Sequence, residues 1–306
     1  MAFNEILAYF EEWSGDRSGT AHHLRFDDQG AFGSYRGMRL YSAFQPLFAG
    51  QDLAVVAHEA LLRVRDEDGR ALSPAEAFAV PTTPSEAMYF DRLCRMVHTL
   101  NFVQQAESEA ELFLNVSGRH LLSLSSGHGQ TFEHLLNLCG LTPDQIILEI
   151  LEGHVDDIGR LNDAVNAYRS RGYRVAIDDF GCEDSNFDRL WKLTPDIVKL
   201  DRSLIVQGTT NERARRILPK LVEIIHELGA QVVCEGIENL DQHSLAVDAG
   251  SDLVQGYYYA RPSSDLIAPL TQTDARLFHP INSLNRPRQI PLLVQTGSTS
   301  TQVVCS

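Results

Sequence analysis

Side chains that could bind a metal ion or move a proton recur at the ends of short apolar runs in this chain. In sequence order they belong to Glu59, Asn115, Glu149, Asp178, Asp179, Lys199, Asp201, Glu235, Glu238 and Gln255. Five carboxylates that meet in one place cannot all stay ionised without counter-charge, so they raise one another's pKa values or recruit cations. The set offers oxygen atoms but no imidazole or thiolate, and it therefore suits Mg²⁺ or Mn²⁺ better than zinc.

The adjacent pair Asp178-Asp179 indicates a site for two cations. Two divalent ions about 3.5–4 Å apart, bridged by a shared carboxylate, are the usual arrangement for attack of water on a phosphodiester. Asp178 is the natural bridge, with Asp179 reaching one ion only. Each polar residue alone has an ordinary explanation, such as a solvated strand end, a helix cap or an ion pair between Lys199 and Asp201. Six successive strands that each deliver a polar group at the same height are hard to explain in that way.

Eight runs have the composition of strands, and segments with helical periodicity separate most of them. The runs are Ala43–Phe48, Val55–Leu62, Leu112–Val116, Ile146–Leu151, Arg174–Ile177, Ile197–Leu200, Gln231–Cys234 and Asp252–Tyr257. This pattern predicts an α/β fold, a modified (β/α)₈ TIM-like barrel with its chemistry at the carboxyl ends of the strands; a doubly wound open sheet is the alternative. The first connection is too short for a parallel crossover, so we expect the first strand to run antiparallel.

Two flanking segments fall outside the alternation of strands and helices. Residues 1–39 predict an N-terminal helix followed by a hairpin, which we expect to cap the bottom of the barrel, with a dimer or partner surface as the alternative. Residues 40–270 are assigned to the catalytic barrel. Residues 271–306 form a C-terminal extension, expected to be partly disordered because it becomes rich in Ser, Thr, Gln and Pro.

Composition limits the classes of function. The 306 residues are 43% hydrophobic and 22% charged, as in ordinary globular proteins. The formal net charge of −15 argues against a nucleic-acid polymer or an anionic membrane as partner. No apolar run is long enough to span a bilayer, no secretory signal is evident, and the five cysteines form no CxxC pair. These features predict a cytoplasmic protein with reduced thiols.

The ordered set of motifs resembles the EAL-domain family, bacterial phosphodiesterases that open cyclic di-GMP to linear pGpG. The signature Glu59-Ala-Leu61 stands within His58-Glu-Ala-Leu-Leu-Arg63, and the Glu-Ala-Leu triplet alone occurs often by chance. The other matching motifs are Gln45-Pro46, Asn115-Val-Ser117, Glu149-Ile-Leu-Glu152, Asp178-Asp-Phe-Gly181, Lys199-Leu-Asp201, Glu235-Gly-Ile-Glu238 and Gln255-Gly-Tyr257. Together they cover residues 40–265, and the resemblance predicts a stand-alone member of the family.

The resemblance implies a role for each of these polar residues. A first metal ion would be held by Glu59, Asn115, Glu149 and Asp178, and a second by Asp178 and Asp179. Glu235 would position or deprotonate the attacking water or complete the second site, and Lys199, oriented by Asp201, would hydrogen-bond that water. Substrate contacts would come from Gln45, Leu62, Arg63 and Gln255, and loop anchors from Glu152 and Glu238.

The implied reaction is hydrolysis of a small molecule, cyclic di-GMP, with two Mg²⁺ or Mn²⁺ ions. Ca²⁺ would inhibit because its longer and looser coordination spoils the geometry. Two alternatives stay open: a catalytically silent cyclic di-GMP receptor that signals through partners, and a barrel hydrolase that acts on another phosphodiester. A homodimer and a regulatory protein bound through the N-terminal extension are also compatible with the sequence.

The chain departs from the family pattern after Asp178-Asp-Phe-Gly181. It continues Cys182-Glu-Asp-Ser185 where the family usually has Thr-Gly-Tyr-Ser. The two extra acids are expected to point to solvent. The other interpretations are that they tighten cation binding or that they repel the substrate.

Overall fold

The structure, a computed structural model, describes residues 3–13, 24–28, 30–106, 109–117, 129–151, 157–182 and 187–267. The strands are β1 (Leu24–Asp27), β2 (Gly30–Tyr35), β3 (Met38–Ala49), β4 (Val55–Arg65), β5 (Ala71–Leu72), β6 (Glu111–Val116), β7 (Ile146–Leu151), β8 (Arg174–Phe180), β9 (Ile197–Leu200), β10 (Gln231–Cys234) and β11 (Leu253–Val254). The helices are α1 (Phe3–Trp13), α2 (Pro74–Ala79), α3 (Pro84–Val103), α4 (Gln130–Cys139), α5 (Ile158–Arg169), α6 (Phe187–Leu193), α7 (Arg202–Thr210), α8 (Glu212–Glu227) and α9 (Leu240–Asp248).

Eight of the strands close into a barrel. Their order is β3-β11-β10-β9-β8-β7-β6-β4, and β3 pairs with β4 to complete the ring. β3 runs antiparallel to both of its barrel neighbours, whereas the other barrel pairs are parallel. The predicted (β/α)₈ barrel with an antiparallel first strand is therefore confirmed, and the open sheet is excluded.

An apolar layer fills the lower part of the barrel interior. It consists of one inward side chain from each of seven strands, all at most 1% exposed, with the partly buried Leu253 of the eighth strand packed against them: Leu47, Ala57, Phe113, Ile147, Ala176, Ile197 and Val233. Alternate residues of a strand face the same side of the sheet, so the next inward residue lies two positions further on. A second, larger apolar cluster lies between the strands and the helices.

The N-terminal extension lies on the side of the barrel. The hydroxyl of Tyr9 in α1 accepts a hydrogen bond from Arg92 in α3 at 2.8 Å, and Asn101 of α3 bonds both the N–H and the carbonyl of Ala31 in β2. Its predicted helix and hairpin are present. Its hairpin pairs with Met38–Leu40 of β3, away from the Leu47 end at the bottom of the barrel, so for the described residues the expectation that it caps the bottom was wrong. The limits of the three predicted segments stay predictions.

None of the helices that the structure describes is long and apolar enough to cross a membrane. The four cysteines within the described residues are free thiols, and three of them, Cys94, Cys139 and Cys234, are buried. Their burial raises their pKa values, which suppresses the reactive thiolate form.

Candidate active site

A polar layer lies directly above the apolar layer. Each barrel strand contributes the residue two positions from its apolar side chain, toward the same end of the barrel: Gln45, Glu59, Asn115, Glu149, Asp178, Lys199, Glu235 and Gln255. On antiparallel β3 the step runs backward, from Leu47 to Gln45, and Gln45 is the register partner of Glu59. Strand periodicity and closure of the barrel thus bring together residues that are 210 positions apart in the sequence.

The ammonium of Lys199 is the central cation of this layer. Its Nζ atom lies 2.6 Å from Glu235 Oε1, 3.1 Å from Asp178 Oδ1 and 3.4 Å from Glu59 Oε2. It also contacts Glu149 Oε1. Lys199 is 1% exposed and Glu149 is fully buried. Four carboxylates therefore share one positive charge away from water, and the layer attracts further cations.

Two side-chain amides hold the acids in position. Asn115 Nδ2 donates to Glu149 Oε2 at 3.0 Å and to Glu59 Oε1 at 3.4 Å. Gln255 Nε2 donates to the other oxygen of Glu59 at 2.9 Å. Because each amide donates through nitrogen to a carboxylate, the oxygens of Glu59 keep a fixed direction within the barrel mouth.

A β-bulge brings two consecutive aspartates to the same side. Between Ile177 and Phe180 of β8, two residues lie opposite the single Lys199 of β9. Asp179 has a φ of 57°, a left-handed conformation that Asp tolerates better than most residues. Regular alternation would send the side chains of Asp178 and Asp179 to opposite faces of the sheet, but here both line the cleft.

Three of these acids have the arrangement of a cation site. One carboxylate oxygen each from Asp178, Asp179 and Glu235 lies within 4.8 Å of the others. Oxygen donors at this density match the preference of Mg²⁺ and Mn²⁺. The residues present therefore fit a divalent cation, and the predicted ligand set stays a prediction.

Burial dominates the ionisation of the polar layer. It raises the pKa values of Glu149 and Glu235 well above the ordinary range, against the attraction of Lys199. Burial, with help from Asp178 and Asp201, raises the pKa of Asp179 to about 6. Burial lowers the pKa of the Lys199 ammonium, but the surrounding carboxylates raise it more strongly, so the ammonium stays charged. A cation bound at Asp179 would displace its proton at a pH below about 6.

The affinity for Mn²⁺ is expected to rise as the pH increases through about 6, because a proton on Asp179 competes with the cation. The carboxyl has a higher pKa in the folded chain than its ordinary value of 3.8. In the metal-free protein its contribution to stability is therefore present at low pH and decreases as the pH rises through about 6. Calorimetric titration with Mn²⁺ between pH 5 and 8 measures the effect on binding.

The matched variant for this pH dependence is Asp179→Asn, which cannot ionise. It should bind Mn²⁺ more weakly and with a flatter pH profile than the wild type. An identical profile in the variant would show that another group competes for the proton.

A cleft of about 350 Å³ opens above the polar layer. Its walls add Asp201, Arg202, Gly236, Glu238, Gly256 and Tyr257 to the acids of the layer. Gly236 has a φ of +63°, and a Cβ atom there would lie 2.5 Å from Cβ of Arg202, so only glycine fits this close approach. Arg202 was not singled out from the sequence, although it directly follows the Lys199-Leu-Asp201 motif.

The loop after β9 and the loop after β10 are tied together across the cleft rim. Arg202 Nη2 lies 2.6 Å from Glu238 Oε2, and the N–H of Glu238 donates to Gln242 Oε1 at 2.6 Å. The predicted loop-anchoring role of Glu238 stays a prediction. The other predicted anchor, Glu152, and the divergent acids Glu183 and Asp184 lie outside the described residues.

The predicted pairing of Lys199 with Asp201 was wrong, whether as a simple ion pair or as an orienting contact. β9 ends at Leu200, so the alternation that would place both side chains on one face stops there. Asp201 instead begins α7 as its N-cap, accepting a hydrogen bond from the N–H of Ser203 at 2.9 Å. Its carboxylate still lines the cleft beside Asp179.

The predicted substrate contacts divide into two groups. Gln45 and Gln255 line the cleft. Leu62 was wrongly assigned, because its side chain is on the face of β4 opposite Glu59 and packs in the cluster between strands and helices. Arg63 shares the face of Glu59 but lies four residues further along β4, exposed, with its Nη1 donating to the carbonyl of Leu62 at 3.1 Å.

Comparison with known proteins identifies the relatives of this chain. The family model of the EAL domain matches residues 31–262. The chain is 28% identical to the EAL-domain protein YkuI of Bacillus subtilis over 73% of its length, and 26% identical to the cyclic di-GMP phosphodiesterase RocR of Pseudomonas aeruginosa over 77%. It spans only 55% of YkuI and 58% of RocR.

A solved structure shows the same architecture. BlrP1 of Klebsiella pneumoniae, in a complex with calcium and cyclic di-GMP, superposes with a TM-score of 0.64 at 27% identity. The match covers 73% of this chain and 56% of BlrP1. The family model matches residues 31–262, and the barrel has the same fold as BlrP1. This chain therefore belongs to the EAL-domain family.

Proposed function

We propose that this protein hydrolyses cyclic di-GMP to linear 5′-pGpG with the help of Mg²⁺ or Mn²⁺. Relatives that are named cyclic di-GMP phosphodiesterases support the substrate class, and the complex of BlrP1 with calcium and cyclic di-GMP supports binding of a divalent cation beside it. This chain spans only part of the length of these relatives, so their activity is a proposal for it.

The charge of the cleft is the observation that carries the proposal. Among the described residues, the cleft is lined by six carboxylates and by two cationic side chains, Lys199 and Arg202. A cyclic dinucleotide brings two negatively charged phosphates. Such a ligand would be repelled unless bound cations reverse the charge of the site, and the oxygen-rich donor set suits divalent cations.

The residues that would hold two cations are acids and an amide of the polar layer together with Asp179. Glu59, Asn115, Glu149 and Asp178 would hold the first cation, and Asp178 with Asp179 the second, with Asp178 shared between them. Glu235 would either complete the second site or act on water. The bound cations would neutralise the scissile phosphate and lower the pKa of a nearby water.

Two residues of the layer would handle the proton of the attacking water. Glu235 lies 2.6 Å from the ammonium of Lys199, and burial raises its pKa, which makes it a stronger base than a solvated glutamate. Lys199 would hold the water by hydrogen bonding and stabilise negative charge that develops on the phosphate. Lys199 is buried below, whereas Glu235 is partly exposed and lines the cleft, where a water molecule can reach it.

The substrate would extend from the polar layer to the rim of the cleft. Gln45 and Gln255 line the cleft and would border the scissile phosphate, and Arg63 lies further along β4, where its guanidinium would clamp a second phosphate. The aromatic ring of Tyr257 is half exposed at the rim with the guanidinium of Arg261 4.3 Å from its centroid. A ring in this position offers a stacking surface for a base.

The test incubates the purified chain with cyclic di-GMP and either Mg²⁺ or Mn²⁺ and separates the products by chromatography. We expect linear pGpG, inhibition by Ca²⁺, and loss of product in excess chelator. Glu59→Ala should abolish turnover, because it removes a metal ligand that Asn115 and Gln255 hold in place. Glu223→Ala, an exposed glutamate on α8, is the matched control and should retain activity.

Other outcomes would change the assignment. Binding of cyclic di-GMP without cleavage would replace the enzyme by a receptor. Unchanged turnover in Glu59→Ala would overturn the ligand set. A homodimer and a regulatory partner on the N-terminal extension stay predictions, which sedimentation analysis and partner binding would test.

A further inference from the structure

A buried ion pair lies on α3, away from the residues that line the cleft. Asp91 and Arg95 are each 1% exposed. Asp91 Oδ2 accepts hydrogen bonds from Arg95 Nε at 2.9 Å and from Arg95 Nη2 at 2.5 Å. A buried pair of this kind is often no more stabilising than a well-packed apolar pair, so its presence in a helix calls for a reason beyond stability.

The pair fixes both ends of the connection between β6 and α4. The second oxygen of Asp91, Oδ1, accepts the backbone N–H of Ser117 at 2.8 Å. The guanidinium of Arg95 lies 4.5 Å from the ring centroid of Phe132, in the first turn of α4. One helix side-chain pair thus holds the chain where β6 ends and where α4 begins.

Ser117 follows Asn115 by two residues, and the ladder of β6 to β7 ends between them at Val116 and Ile150. The next amide is therefore bound by a carboxylate instead of by a neighbouring strand. A hydrogen bond from an N–H group to a charged carboxylate is stronger than one to a neutral acceptor. The end of β6 is held by Asp91 at the level where Asn115 reaches the acids.

Two hydrogen bonds constrain the position of the Asn115 side chain within the site. Its Nδ2 contacts both Glu59 and Glu149, at 3.4 Å and 3.0 Å, so its carbonyl oxygen is the one donor atom that it can offer to a cation. A small shift of β6 would change both amide contacts and the direction of that oxygen. Partners that orient metal ligands typically change metal affinity by about 10–100-fold when they are removed.

We propose that Asp91 is a positioning residue for the cation site, which acts by holding Ser117 and hence Asn115, with Arg95 as its counter-charge. The inference rests on the proposed function, since it assigns Asn115 to a divalent cation. It predicts that the hydrogen-bond acceptor at position 91 contributes more to cation binding than the charge of the pair does.

Two double variants separate these contributions. The acceptor-retaining variant, Asp91→Asn with Arg95→Met, removes both charges but keeps an oxygen that can accept the Ser117 N–H. The acceptor-free variant, Asp91→Leu with Arg95→Met, removes the charges and the acceptor. Single changes are avoided because they would leave one buried charge unpaired, which is strongly destabilising.

The readout is the dissociation constant for Mn²⁺, measured by calorimetry on protein whose folding has been checked by urea unfolding. We expect the acceptor-retaining variant to bind Mn²⁺ within about threefold of the wild type, and the acceptor-free variant to bind about 10-fold more weakly or worse. Mn²⁺ affinity that is kept only when the acceptor is kept indicates a positioning role. If the pair served stability alone, the Mn²⁺ affinities of the two folded variants would be equal.

Equal affinities in the two folded double variants would overturn the inference and leave the proposed function intact. A wild-type protein that binds no Mn²⁺ would instead overturn the proposed function and the inference with it. Should the acceptor-free variant not fold, Asp91→Ala with Arg95→Met takes its place. Failure of both of these variants to fold, while the acceptor-retaining variant folds, would show that the bond serves folding and would also overturn the inference.

Discussion

Replacing Glu235 by glutamine is expected to reduce kcat for cyclic di-GMP by about 10²–10⁴-fold, the usual contribution of a general base. The change keeps the shape of the side chain and an oxygen that can accept from Lys199, 2.6 Å away. It removes the basicity that the raised pKa of this acid provides. Because the loss falls on the transition state, KM should change only a few-fold.

Steady-state kinetics and substrate binding distinguish this role from metal coordination. The matched control, Glu223→Gln on the exposed face of α8, should leave both kcat and KM unchanged. A parallel loss of substrate affinity and rate in Glu235→Gln would show that this acid is chiefly a metal ligand. Unchanged kcat would remove Glu235 from the reaction.

Replacing Lys199 by methionine is expected to lower the free energy of unfolding of the metal-free protein by about 3–5 kcal/mol at pH 8, the usual cost of breaking a buried ion pair. The ammonium is the shared partner of Glu59, Glu149, Asp178 and Glu235. Methionine keeps most of the length of the side chain but leaves these carboxylates without a counter-charge. Urea unfolding in the presence of chelator measures the loss.

Divalent cations should partly restore the stability of Lys199→Met, because they supply the missing positive charge to the same carboxylates. The deficit should also shrink at lower pH, where the acids with raised pKa values are protonated. Lys220→Met on the exposed surface of α8 is the control. If the metal-free Lys199→Met protein were as stable as the wild type, the prediction would be wrong. The four carboxyl groups would then be protonated when Lys199 is absent.

Much of this site could be predicted because strand periodicity is simple. Once the strands are placed, the residue two positions from the apolar interior side chain faces the cavity, and barrel closure brings eight such residues together. Glu59, Lys199 and Glu235 follow from this rule alone. The antiparallel first strand followed from the short connection before β4.

The errors arose where the period of two stops. A helix begins directly after Asp201, and the Asp201 carboxylate caps it by accepting the N–H of Ser203 instead of facing Lys199. Leu62 belongs to the opposite face of β4 from Glu59, a point that the family motif does not express. The resemblance implied a ligand role for Asp179, which stays a prediction, and the bulge that brings it to the same side as Asp178 has no sequence signal beyond the pair itself.

Features that depend on tertiary packing could not be predicted. Asp91 and Arg95 are spaced four residues apart on a helix, which in a sequence is typical of an exposed ion pair. Only the structure shows that both are buried and that Asp91 reaches the end of β6. The side position of the N-terminal extension likewise depends on contacts with α3 between residues far apart in the chain.

The central claim is that carboxylates from separate strands hold two divalent cations at the carboxyl end of the barrel. The most direct measurement is anomalous diffraction from crystals soaked in Mn²⁺. We expect two peaks, both coordinated by Asp178, with Glu59, Asn115 and Glu149 around one and Asp179 around the other. Crystals that show no manganese among these oxygens at saturating Mn²⁺ would contradict the account.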